Sequence, residues 1–153
     1  MIKKLQSVLN EKGAGYCALI IAPENRRYFT TFESSDGFLL VSSEKAVFIT
    51  DGRYIEAAQK QISNCDVRLL GKAYPQIAET LKDMNCKHLL VESSRMTVET
   101  YNSLKGVLKN TSILTDSTLD MIINELRSIK TAMEVEIYQQ PEILENIVNK
   151  YLE

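Results

Sequence analysis

The chain has 153 residues, the size of one ordinary domain and too small for two. With 44% hydrophobic and 25% charged residues, Gly 6 and Pro 3, the composition is that of a globular domain with a real core, which excludes disordered and fibrous classes. Eighteen Lys+Arg against 20 Asp+Glu give a net charge of -2, so no overall field recruits nucleic acid or an anionic membrane, and His 1 rules out a three-imidazole zinc site within these residues.

Ile2, Leu5, Val8 and Leu9 recur at helical spacing, and Lys12 to Gly15 ends the pattern with two glycines suited to a C-terminal cap. This predicts a helix from about 2 to 12. The opening residues are too polar for a signal-peptide core, and no run reaches the length of a membrane span. Tyr16 to Ala22 is a continuous apolar run bounded by Gly15 and Pro23, as expected of a strand buried on both faces in mid-sheet. Pro23-Glu24-Asn25 starts a short helical turn, the aromatics Tyr28, Phe29 and Phe32 follow, and Glu33 to Gly37 reads as a polar, exposed loop. Phe38 to Val41 and Ala46 to Thr50 have the layout of an antiparallel hairpin.

Asp51 then stands where a helix N-cap is wanted, with Ile55, Ala58 and Ile62 as the apolar stripe behind it. Strict alternation follows: a strand at about 66–70, a helix at 75–85 with Ile77, Leu81 and Met84 inward, and a strand at 88–92. Next come a helix at 97–109 with Val98, Tyr101, Leu104 and Leu108 inward and a strand near 112–115. The fold class expected is α/β, a layered sheet flanked by helices and made mixed by the early hairpin. From Leu119 to Glu153 the pattern is helical, with Ile137, Leu144, Val148 and Tyr151 near one face and a kink at Pro141. That face either folds back on this domain or belongs to a linker whose partner lies beyond Glu153.

Cys17, Cys65 and Cys86 are an odd set without Cys-x-x-Cys spacing, so a disulfide framework is not expected and a reduced cytoplasm is. A metal pair of Cys86 and His88 with Cys65 lacks a fourth ligand at any recommending spacing. A histidine at the start of a strand beside two buried thiols is the better reading. Gly-x-Ser-x-Gly, Gly-x-Gly-x-x-Gly and Gly-x-x-x-x-Gly-Lys-Ser/Thr are all absent, and no basic stripe interleaved with aromatics appears. Two stretches exceed what packing demands: Asn25 to Phe32 with Ser34-Ser35-Asp36-Gly37, and Thr50-Asp51-Gly52-Arg53-Tyr54. A surface turn with core aromatics would explain the first, and a good N-cap would explain Asp51 but not Arg53 and Tyr54.

Pro23 to Tyr28, Ser35-Asp36-Gly37, the hairpin into Thr50 to Tyr54, and Leu126-Arg127-Ser128-Ile129-Lys130 with Glu134 and Ile137 together resemble the N-terminal domain of the creatinase/aminopeptidase P/prolidase family. The resemblance spans the chain in order. It implies a ribonuclease H-like mixed sheet, a creatinase N-terminal-like domain at 1–125, and a linker helix at 126–153 leading to an absent catalytic domain. Fold likeness to ribonuclease H carries no nuclease activity.

Family peptidases are two-metal hydrolases acting next to proline, and their ligands lie in a C-terminal pita-bread domain. The resemblance therefore implies no catalytic or metal residue here, and two divalent metals (Mn, Co or Zn) in the parent protein. It implies a cytoplasmic homodimer acting on proline-containing peptides, most simply an Xaa-Pro aminopeptidase, with dipeptidase and creatinase activities left open. Phe32, Ser34, Ser35, Asp36, Arg53 and Tyr54 are the residues expected to face the substrate mouth or the dimer contact. The alternative is a free-standing binding or scaffold domain of the same fold with no peptidase half.

Overall fold

The computed structural model describes the backbone of residues 1–139 and the side chains of residues 1–128. Among the described residues the order is α1 (Ile2–Lys12), β1 (Tyr16–Ile20), α2 (Pro23–Thr30), β2 (Phe38–Ser42), β3 (Ala46–Thr50), α3 (Ile55–Gln61), β4 (Asp66–Leu69), α4 (Ala73–Asp83), β5 (His88–Val91), α5 (Val98–Val107), β6 (Ser112–Leu114) and α6 (Thr118–Gln139). The chain divides into two compact units, Met1–Asp120 and a second beginning at Met121. The expected apolar face and the kink at Pro141 lie outside the described residues.

Six strands form one mixed sheet in the order β4-β3-β2-β1-β5-β6. β1 pairs antiparallel with β2 and β2 with β3, whereas β1–β5, β5–β6 and β3–β4 are parallel. Among the described residues β2 is thus the only reversed strand, and the hairpin that makes the sheet mixed was legible from Phe38 to Thr50. Five strands share one carboxyl edge. The chain leaves β1 toward β2, β3 and β4, then returns through α4 to place β5 on the other side of β1. That reversal is a topological switch point, the place where α/β sheets of this kind open a crevice outside their carboxyl ends.

β1 is mid-sheet and buried, as its apolar run requires. Cys17, Leu19, Leu40, Ile49, Ile77, Leu81, Leu89 and Leu104 share one core cluster. α1 adds Ile2, Leu5 and Leu9, all at most 2% exposed, and burying each such side chain contributes about 1.5–3 kcal/mol. α4 ends in a left-handed Asn85 (φ 55°), with the Cys86 amide donating back to Leu81 O at 2.9 Å, a Schellman-type stop.

Three expectations need correction. Asp51 does not cap α3, because Gly52 to Tyr54 intervene as a turn in which the amides of Tyr54 and Ile55 both donate to Asp51 O at 3.1 Å. Val98 is 78% exposed, since it is the first residue of α5, ahead of the turn where the stripe meets the core at Leu104. The 33–37 loop is not wholly exposed, because Ser34 is buried and its backbone carbonyl accepts from the Arg26 guanidinium of α2, as described below.

Candidate functional site at the carboxyl edge of the sheet

Ala22, Thr50, Leu70 and Glu92 follow or end parallel strands at the carboxyl edge, and Gly37 and Phe38 enter β2 there. The motif residues singled out in sequence therefore converge at one end of the sheet. Their arrangement begins with a residue that the sequence reading missed. Glu92, 1% exposed at the end of β5, accepts from the amides of Ile21 (2.5 Å) and Ala22 (2.9 Å) through Oε1 and from Asn25 Nδ2 (2.6 Å) through Oε2. It stands at the switch point, where its negative charge lies beside the positive dipole end of α2 and its oxygens fix the chain entering that helix and the Asn25 side chain on its first turn. An acidic residue directly after the apolar Leu89-Leu90-Val91 was the available sequence signal.

With α2 anchored, Arg26 turns inward and is 3% exposed. Its Nη1 donates to the carbonyls of Ile21 and Gly37, and Nη2 donates to Ser34 O at 2.8 Å. Burial lowers its pKa, and the carboxylates of Asp36 and Glu92 oppose that shift. One guanidinium therefore ties the end of β1 to both ends of the 34–37 loop. Gly37 adopts φ +152°, and a Cβ there would sit 3.0 Å from Ile49 O, so the loop meets β3 without room for a side chain.

The outward part of the loop is clamped to the β3–α3 corner. Arg53 Nη2 donates to Asp36 Oδ2 at 2.8 Å and to Asp51 Oδ2 at 2.7 Å, and the Arg53 amide donates to Asp51 Oδ1 at 2.9 Å. The Arg53 and Asp36 side chains are 64% and 68% exposed, so this network faces solvent. The Arg53 guanidinium also lies 5.3 Å from the centre of the Tyr54 ring, and Tyr54 OH is 2.9 Å from Ser35 Oγ. The hydrogen bond from Arg53 holds the Asp51 carboxyl below the usual range, and the Ser35 contact lowers the Tyr54 phenol. Phe32 is buried edge-on against Phe48 and Tyr54, with centroids 6.2 Å and 6.3 Å apart, and backs the corner from inside.

Two clefts flank the loop. One of about 380 Å³ is lined by Ile21, Arg26, Asp36, Phe38, Asp51 and Leu70 among others, and one of about 620 Å³ by Arg27, Glu33, Ser34 and Tyr54 among others. Ser35 borders both, so the loop is their partition. Among the described residues no three His, Cys, Asp or Glu side chains converge as a metal site. Cys65 lies before β4 and Cys86 before β5, with three strands between, which separates Cys65 from the Cys86–His88 pair considered with it in sequence. His88 stacks on Tyr16 at 4.7 Å, and its Nδ1 is 2.9 Å from Ser112 Oγ.

A mixed sheet with one reversed strand, and a clamped polar loop at its carboxyl edge, define the class of domain. The chain matches the Creatinase/Prolidase N-terminal domain over residues 1–129 and belongs to that family. Among curated proteins it is 31% identical over 140 residues to the uncharacterized peptidase YqhT of Bacillus subtilis, covering 91% of this chain and 38% of that one. The chain thus spans about two-fifths of that relative's length. Among solved structures, an Xaa-Pro dipeptidase from Bacillus anthracis superposes with TM-score 0.71 at 26% identity, covering 94% of this chain and 42% of that one. The N-terminal domain of the cytoplasmic peptidase PepQ from Mycobacterium tuberculosis gives TM-score 0.70 at 29% identity, covering 80% of this chain and 96% of that one.

Two outcomes follow from the geometry. Glu92→Ala leaves the Ile21 and Ala22 amides and Arg26 without their buried counter-charge and should cost about 3–5 kcal/mol, read from urea unfolding. Arg53→Ala should raise the Asp51 pKa toward the ordinary carboxylate value, the residue-53 amide still holding part of the shift, read by carboxyl-carbon NMR titration. Because the folded Asp51 pKa is depressed, the clamp's contribution is present above the ordinary carboxylate range and fades as pH falls through the lowered value. An unmoved Asp51 titration in the variant would contradict the clamp.

Proposed function

We propose that this chain is the non-catalytic N-terminal part of a proline-specific metallopeptidase, an Xaa-Pro aminopeptidase in the first instance. Residues 1–125 make the domain in this reading, and 126–153 form the helix leading to a pita-bread catalytic domain that binds two divalent metals. The family match and the likeness to Xaa-Pro peptidases support the parent chemistry, which is hydrolysis of an Xaa-Pro bond in the cytoplasm. The domain's task is to take part in a homodimer and to narrow the path by which peptides reach the metals.

The observation that carries the access role is the exposed clamp of Ser35 and Asp36 against Arg53 and Tyr54. Its groups face solvent, yet each is tied to a second element, so they hold position without a partner. An exposed guanidinium with carboxylates around it can exchange one of them for a peptide's terminal carboxylate in a charge-assisted pair. Phe32 and Ser34 support the platform from the buried side.

In the longer protein carrying this domain, Arg53→Ala should raise KM for Xaa-Pro tripeptides several-fold and leave kcat nearly unchanged, because the lost contact serves binding and not the chemical step. Steady-state kinetics on a dipeptide and tripeptide pair would check this. A fall in kcat with KM constant on both substrates would sink the access role.

A further inference from the structure

The clamp carries a second chemistry that the peptidase reading does not use. Asp-Gly occurs twice in the chain, at 36–37 and at 51–52, and both carboxylates meet on the one guanidinium of Arg53. An aspartyl carboxyl ahead of glycine is open to attack by the next backbone nitrogen, because glycine has no Cβ to hinder the approach and few limits on its torsions. The two glycines differ in their freedom. Gly37 is buried, its Cβ position would stand 3.0 Å from Ile49 O and 3.2 Å from the Phe48 ring, and its carbonyl accepts from Arg26 Nη1. Gly52 is exposed, with nothing within 4 Å of where a Cβ would stand. What restrains the second step is therefore mainly on the aspartate: Arg53 Nη2 and Nε reach Asp51 Oδ2 at 2.7 Å and 3.2 Å, and the Arg53 amide reaches Oδ1 at 2.9 Å.

We propose that Asp51-Gly52 is an isoaspartate-forming site and that the Arg53 guanidinium is the group that guards it. In the step, the Gly52 nitrogen bonds to the Asp51 side-chain carboxyl carbon, a C–O bond of that carboxyl breaks, and the hydroxyl leaves as water with the amide proton. The product is a five-membered succinimide. Water then opens the ring at one of its two carbonyls, giving back aspartate or giving isoaspartate, in which the backbone runs through Cβ. One water leaves and one returns, so no oxidant, reductant or second substrate is needed. Arg53 opposes closure twice: its charge favours the ionised carboxylate, a poorer electrophile than the acid, and its hydrogen bonds keep the group from swinging over the Gly52 nitrogen. The Asp51 carbonyl, which accepts from the Tyr54 and Ile55 amides at 3.1 Å, must also turn, so the folded chain reacts slowly. Isoaspartate at 51 would lengthen the backbone of the corner by one atom and carry the carboxylate off Arg53, so the clamp protects its own geometry. This holds whether or not the peptidase reading does.

The test is incubation of the folded 153-residue chain and its Arg53→Ala variant for several weeks at neutral pH, with peptide mapping by a fragmentation that separates isoaspartate from aspartate. Asp36-Gly37 is the internal control, since it has the same dipeptide and loses the same guanidinium but keeps its packed glycine. The expected result is a several-fold faster rise of isoaspartate at Asp51 in the variant, through a species lighter by one water, with Asp36 unchanged. In urea both chains should form isoaspartate at Asp51 at one common rate. An unchanged Asp51 rate in the folded variant, an equal rise at Asp36, or a difference between the chains that persists in urea would each overturn the proposal.

Discussion

A carboxylate buried at the switch point of the sheet holds the rest of the architecture in place. Glu92 is separated from its donor partners Ile21 and Ala22 by 71 and 70 residues of sequence, yet its oxygens fix the junction through which β1 enters α2. Removing a charge from water costs several kcal/mol unless donors and an opposite charge replace the solvent. Here three N–H donors surround it and Arg26 lies nearby as a buried cation. The crevice that α/β sheets open at such a point is therefore occupied by the protein's own side chain. What remains accessible is displaced sideways, to the clefts on either side of the 34–37 loop.

This ordering explains how an exposed ion network can be a fixed feature. Isolated surface ion pairs contribute little, because two long side chains must be immobilised in high dielectric for a modest Coulomb gain. Around Arg53 most of that ordering has been done already. Arg26 holds Ser34 O and Gly37 O, so Asp36 between them has limited freedom, and the Asx turn at Asp51 sets the Arg53 backbone. Phe32 beneath Tyr54 fixes the ring on which the guanidinium rests. Entropy that would otherwise oppose the clamp is spent in the interior, where burial offsets it.

The fold was largely legible, because its signals are local and periodic. The apolar run from Tyr16, the hairpin from Phe38 to Thr50 and the alternation after Asp66 each declare their element within a few residues, with boundaries off by one or two. The site was legible in its members and opaque in its logic. Glu92 reads as an ordinary strand-end carboxylate until the return crossover brings it beside β1. Arg26 reads as a surface cation until the anchored helix turns it inward, and Asp51 reads as a cap until Gly52 to Tyr54 delay the helix. The Glu92 contact joins distant segments, which residue spacing does not encode, whereas the Arg26 brace and the turn after Asp51 depend on how nearby loops close in three dimensions.

The family motif Pro23 to Tyr28 shows why motif residues and site residues must be separated by geometry. Asn25 and Arg26 face inward and hold the scaffold, whereas Arg27, in the same string, is exposed on the cleft wall. In the second motif Ser34 is interior, and Ser35 and Asp36 are exterior. Alternation between a brace and a platform over adjacent residues is what a loop needs when it must stay rigid and present polar groups to a partner. A purely outward loop would lack the buried ties that position it, and a purely inward one would offer nothing to bind. Ser35, Asp36 and Arg53 are therefore the groups this loop offers to solvent, while Glu92, Asn25 and Arg26 hold its base in place.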